Sequence, residues 1–338
     1  MTDLTVTQMR SEAASLRPSR ARVLYLDGWR GLSIALVLIG HFLPVPGINL
    51  GLLGVEFFFV LSGRLMAEIL FIENYPLKPF FKRRFARIYP ALVVFVLAGM
   101  VIFAGTFVAY KWKAALTALT FTYNYVGILI NRAGALDHIW SLCVEEHAYI
   151  MLALVSVLVS RGRLAAVLAV FTVAAMASGA VSWWVFGLDF EASYWRTDTH
   201  VASILVSALI CWLKTSPRWK VLMQGRYLAP VAALCGVVFF LDAVPMPLHY
   251  IVGTLFLAIA VNTLDFAPRG LTGVLSLRPA VQLGLWSYSL YLWQQPFYKF
   301  VYFQGSPVLP MLALTFLCAL SSFYLIEQPA RRWLNRNW

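Results

Sequence analysis

Long apolar stretches, broken by short polar segments, run through the chain from residue 29 to residue 326. A helix needs about 20 consecutive, predominantly apolar residues to cross the hydrocarbon core of a membrane. The pattern predicts spans near residues 29–43, 51–71, 90–110, 139–159, 164–186, 200–213, 227–241, 249–264, 283–303 and 309–326. We therefore predict an all-α integral membrane protein, built as a bundle of about ten transmembrane helices.

One further segment, residues 114–130, does not fit this count. Its sequence, AALTALTFTYNYVGILI, is apolar enough to enter a bilayer but is rich in Thr, Tyr and Asn. Counting it as a span would invert every later segment and place the basic loops outside. Irregular backbone is tolerated at membrane depth where it is buried against protein or lines a cavity. We therefore predict a re-entrant or interfacial segment.

The distribution of basic residues gives the bundle an orientation. With ten spans both termini lie on one side, and the loops of that side hold 21 Lys and Arg residues against five on the other side. Cytoplasmic loops carry this kind of excess, so both termini should be cytoplasmic. The predicted parts are a cytoplasmic N-terminal tail (1–25), a transmembrane domain (26–333) and a cytoplasmic C-terminal end (334–338).

Composition excludes several other classes of protein. With 61% hydrophobic residues, 12% charged residues and a mean hydropathy of +0.75, the chain is more apolar than a soluble domain. Its net charge of +12 follows the membrane topology, so we expect contact with membrane lipid and not with nucleic acid. The four cysteines stand singly, without a CxxC pair. We therefore expect no disulfide framework and no metal site.

The first span, LDGWRGLSIALVLIGHF, carries a charge near one end and a titratable ring near the other. Eleven positions at about 100° each bring Arg30 and His41 to one helix face, roughly 16 Å apart. Ionisable groups at membrane depth are costly and so are candidates for function. Two simpler interpretations remain: Arg30 as a snorkelling anchor, and His41 as a ring that bonds a carbonyl at a helix end.

The segment DHIWSLCVEEHAY, residues 137–149, brings carboxylates to the start of another span. Asp137 suits a helix N-terminus at an aqueous interface. Glu145 and Glu146 point about 100° apart on a helix, so at most one of them need face the core. An inward Glu and His41 could act as orienting partner and base for a hydroxyl nucleophile. An ion pair that holds two spans together is the structural alternative.

The segment FFKRRFARIYP, residues 80–90, places four basic residues directly before the third span. Arg84 and Arg87 are three positions apart and share a helix face, where two guanidinium groups can grip a phosphate. Solvated charge that only sets the topology is the alternative. On the cytoplasmic side, however, a phosphate-rich substrate is available.

Six strings in this order resemble the acyltransferase 3 family of membrane-bound O-acyltransferases. They are LDGWRGLSIALVLIGH, GVEFFFVLSG, FFKRRFARIYP, HIWSLCVEEHAY, SYSLYLWQQP and IEQPARRW. The resemblance implies functional roles for Arg30 and His41, and a functional carboxylate at Glu145. It also implies contacts from Arg84 and Arg87 to the phosphates of acyl-CoA.

The resemblance also adds residues that support the site or contact substrate. They are Glu56, Ser62, Glu146, Tyr149, Asp198 and Glu327. Some positions depart from the family pattern. Glu56 stands where an aspartate is usual, His200 where an arginine is expected, and Gln294 where a histidine is common. Arg64 replaces an aromatic residue, and this extra cation either binds phosphate or ends the span.

These observations predict an acyl-CoA-dependent O-acyltransferase of the bacterial inner membrane. The donor is acyl-CoA, with acetyl-CoA expected, and the acceptor is a hydroxyl of a cell-surface or lipid-linked polysaccharide such as lipopolysaccharide on the periplasmic side. His41, supported by Glu145, is the predicted base. A covalent relay through His41 stays open, as does a small secreted acceptor such as a macrolide. A transporter or flippase-like protein is the rival class, although no internal repeat is evident.

Overall fold

The structure is a computed structural model that describes residues 23–129 and 134–337. Every regular element in these two stretches is helical, and their β structure is limited to one isolated antiparallel bridge between Ile48 and Leu241. This confirms the predicted all-α class for the described residues. Most of the predicted N-terminal tail, residues 130–133 and the last residue lie outside them.

The helices follow one another through short connections. In the first half of the chain they are α1 Leu24–Phe42, α2 Leu50–Met66, α3 Leu77–Ile102, α4 Trp112–Leu119, α5 Tyr123–Leu129, α6 Ile139–Leu158 and α7 Arg161–Trp184. In the second half they are α8 Phe190–Tyr194, α9 Thr197–His200, α10 Ala202–Leu213, α11 Pro217–Met223, α12 Leu228–Val238, α13 Met246–Leu248, α14 Thr254–Thr263, α15 Arg269–Leu275, α16 Arg278–Gln304, α17 Val308–Ser322 and α18 Gln328–Asn337. Short π-helical or 3-10 turns extend them over Ala67–Ile72, His249–Gly253, Leu264–Phe266 and Phe323–Glu327.

Five helical stretches are long and apolar enough to cross a membrane. They are Leu77–Ile102, Ile139–Leu158, Arg161–Trp184, Met246–Phe266 and Val308–Asn337. A sixth is added if Thr197–Leu213 and Pro217–Met223, bent by 111°, count as one broken span. These stretches agree with a membrane protein but do not confirm the predicted number of about ten spans.

Helices α1 and α16 fall outside this set because polar residues lower their hydropathy, whereas α2 is too short to be counted. Helix α1 holds Asp27 and Arg30, and α2, with 17 residues, holds the buried Glu56 and Arg64. Polar groups are tolerated at membrane depth where protein, and not lipid, surrounds them. A hydropathy pattern therefore describes these interior helices less well than the helices that face lipid.

Close backbone contact fixes the position of α1 against α16. A Cβ atom on Gly31 would lie 1.9 Å from the carbonyl oxygen of Ala280, and one on Gly284 would lie 1.9 Å from that of Asp27. Only glycine permits this approach. The tight crossing holds the C-terminal half of α1, with His41, beside the middle of α16.

Helix α3 begins at Leu77, well before the start predicted at residue 90. Residue 90 was predicted as the start of a membrane span and not of a helix, and Pro90 lies inside this longer helix. The residues on both sides of it are held by packing, since Ala86 and Leu92 are fully buried. The basic segment is therefore the first part of α3 and not a separate loop.

The segment 114–130 forms two short helices, α4 and α5, joined by a turn in which Phe121 has a positive φ of 54°. Asn124 of α5 donates hydrogen bonds to the carbonyl of Trp195 (3.2 Å) and to Thr197 Oγ1 (2.9 Å). The segment is thus packed against protein and is no continuous span, which agrees with the prediction. Residue 130 lies outside the described residues.

Candidate active site

Two cavities lie side by side between α1, α2, α6 and α16. The first, which we call the basic cavity, has a volume of about 250 Å³, and its polar lining includes Arg30, Ser62, Arg84, Arg87, Glu145 and Tyr149. The second, which we call the histidine cavity, has a volume of about 310 Å³, and its polar lining includes His41, Asn49, Asp137, His138, Tyr298 and Lys299. Val55 and Tyr291 line both cavities and form part of the wall between them.

In the basic cavity Arg84 is held by carboxylates from α6. Its Nε donates to Glu146 Oε1 at 2.8 Å, and its Nη2 lies 3.6 Å from Glu145 Oε2. The guanidinium also stacks on the ring of Tyr149, with Cζ 3.3 Å from the ring centroid. The sequence predicted that Arg84 binds a phosphate. In this structure its guanidinium is already engaged, because two carboxylates compensate its charge.

Glu145 is fixed from the opposite side by two hydroxyl groups. Ser62 Oγ and Tyr149 OH both donate to Glu145 Oε1. Ser62 lies on α2, whereas Tyr149 lies one turn further along α6 than Glu145. The structure thus brings together five residues that the sequence selected, namely Ser62, Arg84, Glu145, Glu146 and Tyr149, and makes Glu146 the main partner of Arg84.

Arg30 and Arg87 supply the positive charge that remains in the basic cavity. Arg30 Nη1 lies 3.3 Å from Asp27 Oδ1, a partner one turn earlier on α1. Within the described part of the chain Arg87 has no ion-pair partner. The charge of Arg87 is therefore less compensated by carboxylates than that of Arg84, which Glu145 and Glu146 flank.

In the histidine cavity His41 is paired with Gln294, a residue of α16. His41 Nδ1 lies 2.6 Å from Gln294 Oε1. The amide nitrogen of Gln294 faces the other way, 3.4 Å from Tyr291 O and 3.4 Å from Gln295 Oε1. Since an amide oxygen can only accept, Nδ1 of His41 must carry the hydrogen. The neutral ring then has its lone pair on Nε2, which is the form that a general base requires.

The Nε2 atom of His41 faces α2 at a glycine. A Cβ atom on Gly51 would lie 3.1 Å from this nitrogen, so the glycine leaves room beside it. The imidazole is stacked on Tyr298, with ring centroids 4.1 Å apart and an interplanar angle of 16°. The ring is thus held from one face by an aromatic residue and at Nδ1 by Gln294, while Nε2 stays accessible from the cavity.

The sequence predicted that Glu145 supports His41, but the structure does not pair these two residues. The two side chains line different cavities, and His41 bonds Gln294 whereas Glu145 bonds Ser62 and Tyr149. The shared helix face of Arg30 and His41 is found, but the residue that orients His41 comes from a different helix. Gln294 was noted in the sequence only as a departure from the family pattern.

Tyr291 is a site residue that sequence reasoning missed. Its hydroxyl lies 2.6 Å from Ser141 Oγ and donates to the carbonyl oxygen of His138 at 3.0 Å. These bonds fix the aromatic ring in the wall between the two cavities. The signal was present in the string SYSLYLWQQP, where Tyr291 stands three residues, or about one helical turn, before Gln294.

The remaining predicted supporting residues lie away from both cavities. Glu56 is fully buried and accepts hydrogen bonds from His200 Nε2 and, at 2.8 Å, from Thr254 Oγ1. Glu327 accepts from Ser289 Oγ at 2.7 Å in the turn before α18. Both residues tie helices together and are not placed to touch a ligand in either cavity.

Two charged residues near the ends of helices have structural partners. Asp198 bonds Arg196 at 2.7 Å, and this hydrogen bond raises the pKa of Arg196. Arg64 is buried and bonds Glu68 (3.2 Å), Asp265 (2.6 Å) and the carbonyl of Val261. Of the two roles left open for Arg64, the structure therefore gives neither: the residue joins α2 to the end of α14.

Groups of three or more His, Cys, Asp or Glu with metal-binding geometry do not occur among the described residues. All four cysteines are free thiols, which agrees with the predicted absence of a disulfide framework.

Most of the chain is similar to known proteins. A family profile described as an acyltransferase domain matches residues 23–326. The O-acetyltransferase OatA of Staphylococcus aureus is 30% identical over 91% of this chain and 57% of its own length. The peptidoglycan O-acetyltransferase OatA of Listeria monocytogenes is 26% identical over 94% of this chain and 57% of its own. The chain thus spans little more than half the length of these relatives.

A third relative is matched over more of its length. BcsY of Komagataeibacter xylinus, described as a proposed membrane-bound transacylase, is 28% identical over 92% of this chain and 83% of its own length. No solved structure matches the chain.

Proposed function

Because the chain belongs to the acyltransferase 3 family, we propose that it transfers an acyl group, expected to be acetyl, from acyl-CoA to a hydroxyl of a cell-surface or lipid-linked polysaccharide. The names of its relatives support this proposal, since one is a peptidoglycan O-acetyltransferase and another an O-acetyltransferase. The acceptor class is therefore a glycan and the reaction an O-acetylation.

One observation carries the proposal: a cavity rich in arginine adjoins a cavity that holds an accessible histidine nitrogen, with Val55 and Tyr291 in the wall between them. A donor with phosphates and a reactive thioester at opposite ends of a long arm needs such an arrangement. Its phosphates require cations, whereas its thioester requires a base near the attacking hydroxyl. A transporter would not need a base of fixed tautomer in the histidine cavity.

In the proposed donor site Arg87 and Arg30 bind the phosphates of acyl-CoA. Guanidinium groups suit this task because they form paired, charge-assisted hydrogen bonds to phosphate oxygens. Arg84 has a different role here from the one that the sequence suggested. It holds Glu145 and Glu146 in place, and through them Ser62 and Tyr149, so that the cavity keeps its shape when the donor enters.

In the proposed reaction the acceptor hydroxyl attacks the thioester carbonyl near the wall formed by Val55 and Tyr291. His41 Nε2 takes the hydroxyl proton as the new C–O bond forms. The C–S bond then breaks, and the proton passes from His41 to the departing thiolate of CoA. General base catalysis of this kind contributes about 10²- to 10⁴-fold to a rate. Gln294 stabilises the imidazolium because its amide oxygen accepts from Nδ1 throughout.

The finer topology is part of the same proposal. We place the protein in the bacterial inner membrane, with about ten transmembrane helices and both termini in the cytoplasm. After replacement of the four native cysteines, a single cysteine at 160–163 or 214–226 should resist an impermeant thiol reagent added outside, and one at 187–189 should react. Strong external labelling at 214–226 would contradict this topology.

A sided assay in proteoliposomes tests the function itself. Acetyl-CoA cannot cross the bilayer, so it is supplied only on the side of Arg87 or only on the opposite side, with a glycan acceptor present on both sides. Transfer of labelled acetyl groups to glycan is expected only when the donor is on the side of Arg87. Transfer from the opposite side alone, or no thioester-dependent transfer to any surface glycan of the parent cell, would contradict the proposal.

A further inference from the structure

The histidine cavity holds an ion pair that the proposed reaction does not use. Lys299 of α16 places its Nζ 3.3 Å from Oδ2 of Asp137, which lies two residues before α6. Both side chains line the cavity, and 14% of the Lys299 side chain and 10% of the Asp137 side chain stay exposed. Among the described residues they are the charged members of the lining, so the pair leaves the cavity close to neutral.

The ion pair lies close to His41. Tyr298 directly precedes Lys299 in α16, and its ring stacks on the imidazole of His41 with centroids 4.1 Å apart. The ammonium of Lys299 lies 5.3 Å from the centroid of the same tyrosine ring and 5.3 Å from that of Phe303. The imidazole and the ion pair thus share an aromatic neighbour, and a short sugar chain bound at one of them can reach the other.

The described residues do not use up the hydrogen-bonding capacity of this pair. An ammonium has three N–H donors, and Asp137 and Tyr298 engage at most two of them. The carboxylate accepts from Tyr123 OH at 3.1 Å through Oδ1 and faces Lys299 through Oδ2, although it offers about four lone-pair sites. A sugar hydroxyl can both donate and accept, so it fits between such a carboxylate and such an ammonium.

The apolar part of the cavity lining also suits a sugar. Trp140, Phe190, Trp195 and Tyr302 supply aromatic surface, and ligand sites combine surface of this kind with a few well-placed polar groups. An ion pair that only joined two helices would gain little over packed apolar side chains, because both charges must lose water. Contact with a ligand accounts for an ion pair that borders a cavity.

The carboxylate of Asp137 also affects which sugars the cavity accepts. A glycan that carries carboxylates would bring negative charge beside Asp137, and like charges close together are unfavourable. The cation nearest to it, Lys299, is already compensated by Asp137. A neutral sugar meets no such repulsion. Specificity often depends on a repulsive element of this kind as well as on attractive contacts.

We propose that the pair of Asp137 and Lys299 binds hydroxyl groups of the acceptor beside His41 and thereby selects a neutral glycan over an acidic one. The inference rests on the proposed function, because it takes the histidine cavity as the acceptor site. In the proposed topology this end of α16 faces the periplasm, where the acceptor is expected. His41 removes the proton of the attacking hydroxyl, whereas the pair binds hydroxyls that do not react.

The test measures the binding of two sugars to purified full-length protein by calorimetry, without any acyl donor. The neutral probe is chitotetraose, the tetrasaccharide of N-acetylglucosamine, and the acidic probe is tetragalacturonic acid. Lys299→Met and Asp137→Asn are compared with Lys214→Met as a matched control. Lys214 also pairs with an aspartate, with Nζ 2.6 Å from Asp265 Oδ2, and its side chain is 15% exposed, but it lines neither cavity.

The wild type should bind chitotetraose at least about tenfold more tightly than tetragalacturonic acid, a difference of about 1.4 kcal/mol. Lys299→Met should weaken chitotetraose binding by about tenfold, because it removes the donor. Asp137→Asn should also weaken it, but should bind tetragalacturonic acid about tenfold more tightly than the wild type, because the charge of Lys299 is then uncompensated. Lys214→Met should bind both sugars within about twofold of the wild type.

A gain in acidic-sugar affinity distinguishes recognition from a structural role, because loss of a helix contact alone does not produce it. The inference would be overturned by a wild type that does not bind chitotetraose or that prefers tetragalacturonic acid. It would also be overturned if Asp137→Asn kept the wild-type preference, or if Lys299→Met lost only thermal stability, as Lys214→Met could. If the methionine variant does not fold, Lys299→Gln replaces it in the same comparison.

The outcome separates this inference from the proposed function. A preference for chitotetraose that depends on Asp137 and Lys299, in a protein that transfers no acetyl group, would leave the inference standing and contradict the proposed function alone. Acetyl transfer to glycan by a protein whose sugar preference is unchanged in both variants would contradict this inference alone.

Discussion

The two cavities differ in how their polar groups are satisfied. In the basic cavity Arg84, Glu145 and Tyr149 bond one another, and Ser62 completes the set. In the histidine cavity Nδ1 of His41 faces the amide oxygen of Gln294, whereas its Nε2 has no hydrogen-bond partner among the described residues. The polar groups of the first site are thus engaged with one another, whereas the second site leaves Nε2 of His41 open for the proposed acceptor hydroxyl.

This difference agrees with the separate demands of donor and acceptor. A phosphate-bearing donor gains affinity from charges that are fixed in advance, because fixed dipoles and charges need no reorganisation. A hydroxyl acceptor must reach a base whose lone pair is free. Both cavities are built on α1 and α16, so the glycine contacts between these helices set the relation between the two sites.

The largest effect is expected from His41. His41→Gln keeps hydrogen-bonding capacity and approximate size but removes the base, so acetyl transfer should fall by roughly 10²-fold or more. Membrane insertion and thermal stability should change little. His249→Gln is the control, since His249 is buried and bonds only the carbonyl of Val244. Near-normal transfer by a stable His41→Gln protein would remove the histidine cavity from the chemistry.

A smaller effect, on the donor side only, is expected from Arg87. Arg87→Gln removes a cation that could bond phosphate, so KM for acetyl-CoA should rise by roughly tenfold while kcat stays similar. Arg83→Gln is the matched control, because Arg83 is exposed on the same helix and lines neither cavity. Equal effects of the two substitutions on KM would mean that these arginines act only through membrane topology.

Gln294 should affect acetyl transfer because it fixes the tautomer of His41. Gln294→Leu leaves the Nδ1 hydrogen without an acceptor, and we expect transfer to fall by about tenfold with acetyl-CoA affinity unchanged. Combined with His41→Gln it should add almost nothing, because the two residues act as one unit. Glu145→Gln combined with His41→Gln should instead be close to additive. If the losses were instead additive for Gln294→Leu with His41→Gln and non-additive for Glu145→Gln with His41→Gln, the pairing of His41 with Glu145 that the sequence suggested would be supported.

The smallest effect on transfer is expected from the buried pair of Glu56 and His200, which lies outside both cavities. Glu56→Asp and His200→Arg should each destabilise the protein, because each alone spoils the fit of a fully buried pair. The double variant should recover part of the loss, with a coupling free energy of about 1–3 kcal/mol in thermal or denaturant unfolding. Additive losses of stability would show that the two positions are independent.

Sequence patterns predicted those features that depend on local spacing. The eleven-residue interval placed Arg30 and His41 on one face of α1, and the three-residue interval placed Arg84 and Arg87 together on α3. The family strings also brought Ser62, Glu145 and Tyr149 into one prediction. Helical periodicity and short motifs are local signals. The residue pairs above are close in the sequence, and the other residues lie within the family strings.

The partners of these residues were not predictable in the same way. His41 bonds a residue 253 positions away, and Arg64 bonds one 201 positions away. Such pairs depend on how helices are arranged in the bundle, which hydropathy does not determine. For this reason the sequence suggested for Arg64 only phosphate binding or the end of a span, and identified Gln294 only as a departure from the family pattern. The number of about ten spans stays a prediction, because buried polar residues lower the hydropathy of interior helices such as α1.

The central claim is that donor and acceptor are handled in separate cavities, and equilibrium binding of acetyl-CoA to two variants tests it most directly. The account predicts that His41→Gln protein binds acetyl-CoA within about twofold of the wild type, whereas Arg87→Gln protein binds it roughly tenfold more weakly. Both are measured on purified protein without an acceptor. A loss of acetyl-CoA affinity in His41→Gln equal to that in Arg87→Gln would contradict the separation of the two sites.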